Sequence, residues 1–210
     1  MLAPMLLDLA LVALALAVAA TVSPWRALRA PQVQHPWLAC LVLLPWLWAC
    51  APALPAGTAL QLSGACLLVL MFGWPLAVLT LVPVAGLGAW LGGGDAAFAL
   101  AQLAWSGVVP ATLALGLGAA TRRWLPHNVF VFILGRGFFA TLLAALAGGA
   151  LAALWQPLPQ GTDLATLLVG HGLIAWGEAF TTGLLTAVFV AFRPQWLATW
   201  SDRRYLHGGP

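Results

Sequence analysis

Apolar residues occur along this chain in long runs, and a proline, a glycine or an arginine closes most of them. Seven segments can be marked: Met5–Val22, Trp37–Leu54, Ala59–Phe72, Leu76–Leu91, Ala97–Ala120, Asn128–Trp155 and Leu164–Phe192. Ser23-Pro24 ends the first, Gly73-Trp74-Pro75 the third and Gly92-Gly93-Gly94-Asp95 the fourth. Arg122-Arg123 ends the fifth and Arg193-Pro194 the last. Proline lacks a backbone donor and clashes with the preceding turn, and glycine tolerates conformations other residues avoid, so both punctuate helices. A helix crossing a hydrocarbon core takes about 20 apolar residues, and the third segment is shorter than this. The pattern predicts an all-α polytopic membrane helix bundle with about seven transmembrane helices. Pro45, Pro75, Pro83 and Pro110 interrupt the runs and predict tilted or imperfect spans nearby.

Composition supports the same class. Of 210 residues, 63% are hydrophobic and 6% are charged. A soluble domain carries roughly 25% charged residues. The sequence therefore excludes a soluble globular protein, a disordered chain and a nucleic-acid binder. Residues 1–210 read as a single integral membrane domain with a short cytoplasmic tail over about 193–210. The three cysteines, Cys40, Cys50 and Cys66, lie in apolar runs without a CxxC motif and read as small packing residues.

Charge then orients the bundle. The eight basic residues are all arginines. With seven spans, Arg26, Arg29, Arg122, Arg123, Arg193, Arg203 and Arg204 fall on one side, and Asp95 and Asp163 fall on the other. Arginine-rich loops stay cytoplasmic, which predicts the N-terminus outside and the C-terminus inside. The first segment lacks the positive n-region of a signal peptide and carries Asp8, so it reads as a retained helix.

The chemistry rests on the few polar groups inside spans. Ionisable residues there are costly and face a partner or a cavity. Arg136, His171 and Glu178 qualify. His171 and Glu178 are two turns apart on the last helix, on one face and about 10 Å apart along its axis. Arg136 lies on the preceding segment, and an Arg136–Glu178 pair is expected between antiparallel neighbours. Two readings stay open: a structural lock, or a polar cavity or ion path bordered by Glu178 and His171. Gln61, Gln102 and Ser106 are further candidates to line such a cavity. His35, His127 and His207 do not cluster with His171 in this topology. Ser106 and His171 also admit an intramembrane hydrolase, but Ala104-Trp105-Ser106-Gly107 lacks the first glycine of the usual Gly-x-Ser-Gly motif. No catalytic residue is assigned, and no ATP-binding motif is present.

Three stretches carry a family resemblance. Leu60-Gln61-Leu62-Ser63-Gly64-Ala65, followed by Met71-Phe72-Gly73-Trp74-Pro75, is similar to a His-Leu-Leu-Gly-Ala helix ending in Gly-Pro. Gly92-Gly93-Gly94-Asp95 sits at the place of a glycine-rich loop. Gly177-Glu178-Ala179-Phe180-Thr181-Thr182-Gly183, with Arg193-Pro194 and the tail Ser201-Asp202-Arg203-Arg204-Tyr205-Leu206, matches a last helix and its exit. Over about residues 59–206 the chain resembles the CbiM-type permeases of energy-coupling-factor transporters for cobalt and nickel, in a divergent bacterial branch.

The resemblance implies a substrate-capture subunit in the bacterial inner membrane. It also implies a transmembrane coupling subunit and cytoplasmic ATPase subunits as partners. No cofactor is bound permanently; Co²⁺ or Ni²⁺ enters as substrate. The family's metal ligands depart here, because Leu2 follows Met1 where the family has Met-His, and Gln61 stands where it has histidine. A neutral amide is a poor substitute for imidazole. That leaves His171 as the candidate metal ligand and admits another small solute as substrate. The alternative from another class is a non-transporting membrane scaffold or assembly protein.

Overall fold

The computed structural model describes residues 2–50, 61–158 and 161–205, and among them every regular element is helical. Helix α1 is Leu2–Thr21, a short 3-10 turn covers Pro24–Arg29, and α2 is Pro31–Ala49. Then follow α3 (Ala65–Phe72), α4 (Trp74–Gly92), α5 (Ala96–Trp124), α6 (Val131–Trp155), α7 (Leu164–Phe192) and a last turn, α8 (Asp202–Tyr205).

Five helices among the described residues are long and apolar enough to cross a membrane: α1, α4, α5, α6 and α7. These correspond to the first, fourth, fifth, sixth and seventh apolar segments. The second forms α2, which is 19 residues long but is not among the five. Gln32, Gln34 and His35 in its first turns make it less apolar.

The third segment departs furthest from a span. Its helical part is eight residues, about 12 Å at 1.5 Å per residue. Residues 59 and 60 lie outside the described residues, and residues 61–64 are not helical. The break has a local cause. Gly64 sits at φ 69°, in the left-handed region, and a Cβ there would lie 2.7 Å from Leu44 Cδ2. Ser63 turns its hydroxyl back to accept from Ala65 N at 2.9 Å. Gly73, at φ 78°, closes the other end and starts α4. The segment is a half-length helix entered through irregular backbone.

Helix α4 lies at the centre of the core, with Ala77, Val78, Leu81 and Val84 wholly buried. It packs against α1, α2, α3 and α5. Trp48 of α2 is wholly buried and crosses α4 at Gly88, where a Cβ would lie 2.7 Å from Trp48 Cβ.

Two helices widen locally into π turns, at Leu103–Val108 in α5 and Val131–Phe139 in α6. The first precedes Pro110, whose ring and missing N–H disturb the preceding turn. Single π turns inside α-helices recur at functional sites.

The bundle has two distinct ends. At one, Val22, Pro24 and Ala27 line a hollow with Phe72 and Pro75, while His35 and Trp196 share a groove with Met71. Most of the loop arginines belong to connections at this end. At the other end, Gln156 after α6 meets Asp8 of α1.

Candidate functional site

Glu178 of α7 is the anchor of the site. It is only 4% exposed. Its Oε2 accepts from Ser63 N and its Oε1 from Gly64 N, both at 2.7 Å. These donors belong to the irregular stretch before α3. Inside a bilayer such backbone must be satisfied by protein, and the carboxylate does this for two N–H groups. Trp48 Nε1 donates to Ser63 O at 2.9 Å and satisfies the neighbouring carbonyl.

Beside Glu178 lies a narrow cavity of about 60 Å³, walled by Gln61, Ser63, Trp105, Ser106, His171 and Glu178 with small residues of α6. One water needs about 10–15 Å³ of such space, so the slot holds a handful of waters or a small solute. Ala145, Gly149 and Ala152 form its α6 wall. A Cβ on Gly149 would lie 2.9 Å from His171 Cβ, so glycine makes room for the imidazole. His171 and Glu178 share this wall as their spacing predicts. Counted from the end of α7 that carries Asp163, they lie about 10 and 21 Å deep. The slot therefore runs from near that end to the middle of the bundle.

Gln61 and Gln102 also meet. Gln102 Nε2 donates to Gln61 Oε1 at 2.7 Å, and both residues are buried. Gln61 lines the slot, and Gln102 stands behind it. Gln61 Nε2 and Gln102 Oε1 are buried without a hydrogen-bond partner. Ser106 and His171 share the slot, and no hydrogen bond between them is found among the described residues. Among the described residues no group of three or more His, Cys, Asp or Glu gathers as a metal site. His35 lies at the far end of the groove floored by Met71, and His127 packs beside Tyr205. His207 is outside the described residues.

The expected Arg136–Glu178 pair does not form, and this is a correction with a simple cause. Arg136 is five residues into α6 and Glu178 is fourteen residues from the end of α7. At 1.5 Å per residue they are offset by roughly 13 Å along the bundle. Arg136 instead serves the C-terminal segment. Its Nη1 donates to Thr199 O and to the Tyr205 hydroxyl, each at a long 3.4 Å. Its guanidinium lies 5.4 Å from the Phe132 ring centre, and Nε has no hydrogen-bond partner. Gly118 leaves space for it, since a Cβ there would lie 3.3 Å from Arg136 Nε.

One residue of the site was read otherwise in the sequence. Asp8 is 3% exposed. Trp105 Nε1 donates to its Oδ1 at 2.7 Å, and Gln156 Nε2 approaches both oxygens at 3.2 Å. Trp105 is also a slot wall, so Asp8 ties α1 to the slot. An acidic residue inside an apolar helix was the available signal.

A larger apolar groove of about 530 Å³ lies on the other side of Glu178, between α2 and α7 with α3 as its floor. Glu178 thus separates a polar slot from an apolar groove. Comparison with known families, curated proteins and solved structures finds no match for the chain.

Proposed function

We propose that this chain is a multi-pass membrane permease that captures a small cation in the slot above Glu178. The observation that carries the reading is the slot's chemistry. It contains one buried carboxylate, one imidazole, one thiol, an amide and two hydroxyls, and no arginine or lysine. An anion would meet an uncompensated carboxylate there. A cation would supply the counter-charge that Glu178 lacks. Imidazole suits transition metals, and the resemblance to cobalt and nickel permeases points the same way. The substrate we propose is Co²⁺ or Ni²⁺, met by His171.

In this reading the chain is the substrate-capture subunit of an energy-coupling-factor-type transporter in the bacterial inner membrane. It has seven membrane-crossing segments, with α2 and the half-helix α3 as the two irregular ones. The arginine-rich end faces the cytoplasm, where a transmembrane coupling subunit and ATPases supply the energy. Tagged protein drawn from native membranes should bring down such subunits, and cells carrying His171→Ala or Glu178→Gln should lose Co²⁺ or Ni²⁺ accumulation. Unchanged accumulation in both variants overturns the reading.

A second reading has its own observation. Both Glu178 oxygens are already bonded to backbone N–H groups, which suits a membrane scaffold whose polar residues only hold α3. Recovery of an unrelated assembly, without ATPase subunits, favours that reading.

A further inference from the structure

The two ends of α3 are held by parts of the chain that lie far apart in sequence. At its start, Ser63 N and Gly64 N donate to Glu178. At its finish, Leu70 and Met71 carry carbonyls that the helix itself leaves without partners. The C-terminal segment supplies them. Ala198 N donates to Met71 O at 2.9 Å, and Thr199 N to Leu70 O at 3.3 Å. The Thr199 hydroxyl adds a second bond to Leu70 O at 2.9 Å.

Between these attachments α3 is a rigid rod of about 12 Å. Glycines at positive φ flank it, Gly64 at 69° and Gly73 at 78°. The seven residues from Ala65 to Phe72 other than Leu67 are buried, so the rod has little freedom to bend or slip sideways. Freedom is left along its axis and at its two glycine corners. The far attachment is itself secured. Arg136 reaches Thr199 O, and Phe132, Trp200 and Tyr205 form one aromatic cluster with ring centres 4.8–5.0 Å apart.

We infer that the segment Ala198–Thr199 is a positioning element for the slot: by fixing the far end of α3 it sets Ser63 and Gly64 against Glu178. Thr199 acts through α3 and does not touch the slot. By linkage the effect is reciprocal. Loosening Glu178 loosens the C-terminal segment, and loosening Thr199 loosens the backbone that Glu178 holds. A cation that draws Glu178 away from Ser63 and Gly64 would thereby alter the arginine-rich face. The inference builds on the capture reading but is tested without metal. Failure of metal binding leaves it standing, and failure of the coupling leaves the capture reading standing.

The test is amide hydrogen exchange on the full chain in lipid nanodiscs. Thr199→Val removes the hydroxyl bond and keeps the β-branched shape. Exchange at Ser63 and Gly64 should rise about three- to tenfold, the range expected for losing one hydrogen bond. Glu178→Gln should raise exchange at Ala198 and Thr199 by a similar factor. Thr199→Ser, which keeps the hydroxyl, should restore the wild-type rate at Ser63 and Gly64. Amides of α4 from Val78 to Leu81 are the reference and should not change. Acceleration confined to the neighbourhood of each substitution overturns the inference. So does acceleration that reaches α4 equally in both variants, because the coupling would then be general loosening.

Discussion

Gly88→Ala and Gly86→Ala, two residues apart on α4, should move stability in opposite directions. Glycine in a helix interior costs roughly 0.5–1 kcal/mol relative to alanine, so each substitution starts with that gain. At Gly86 a Cβ meets nothing within 4 Å, and the gain should be kept. At Gly88 a Cβ lies 2.7 Å from Trp48 Cβ and 3.4 Å from Pro45 O. Neither atom is the free end of a flexible side chain. Ordinary carbon contacts are about 3.5–4.0 Å, so α2 must retreat by roughly 1 Å. Overpacking of this kind costs typically 1–3 kcal/mol. The two variants should therefore differ by about 1–3 kcal/mol, with Gly86→Ala above wild type. Thermal midpoints in one detergent, compared at the same protein concentration, measure the difference. The retreat of α2 should also stretch the Trp48–Ser63 bond that supports the slot. If Gly88→Ala melts at or above Gly86→Ala, the close approach of α2 and α4 at Gly88 is not a feature of the protein.

Other substitutions probe the remaining contacts. The double variant Arg136→Met, Glu178→Gln should melt no higher than the less stable of the two single variants, because no ion pair between them is there to be relieved; a double variant that melts above both single ones would restore their pairing. Asp8→Ala leaves the Trp105 indole N–H and the Gln156 amide without their acceptor and should destabilise by about 1–3 kcal/mol, whereas a midpoint within error of wild type would make Asp8 dispensable. Co²⁺ or Ni²⁺ at 100 times Kd should stabilise the protein by about 2.7 kcal/mol, and His171→Ala should abolish that shift; no shift with any divalent ion in the wild type removes the metal assignment.

What the sequence made legible follows from the physics of each feature. An ionisable group in an apolar helix stands out, and helical spacing then places it, so His171 and Glu178 could be assigned to one wall. Gln61 and Gln102 stood out as polar for the same reason, though their mutual bond did not. Ser63 and Gly64 sit inside an apolar run whose hydropathy hides the loss of helix, so α3 read as a span. Arg136 and Glu178 were paired from the adjacency of their helices, and the offset along the axes decided otherwise. In the sequence Asp8 argues only against a signal peptide, because nothing local marks the partners it finds in Trp105 and Gln156. The bonds from Ala198 and Thr199 to α3 are made mostly by backbone, which any sequence carries, so no residue type announces them.

The attachment of α3 also orders events during synthesis. Ser63 and the Glu178 that satisfies its N–H are 115 residues apart, and Leu70 waits 129 residues for Thr199. At about 5–20 residues per second the ribosome takes on the order of 10 s to make the intervening chain. Throughout that interval Ser63 and Gly64 lack this acceptor, and in lipid each unsatisfied group costs several kcal/mol. Their N–H groups must be met by water or by a helical turn until the last long helix arrives with its carboxylate. The irregular entry to α3 thus takes its final form late, and a chain truncated before Glu178 should lack it.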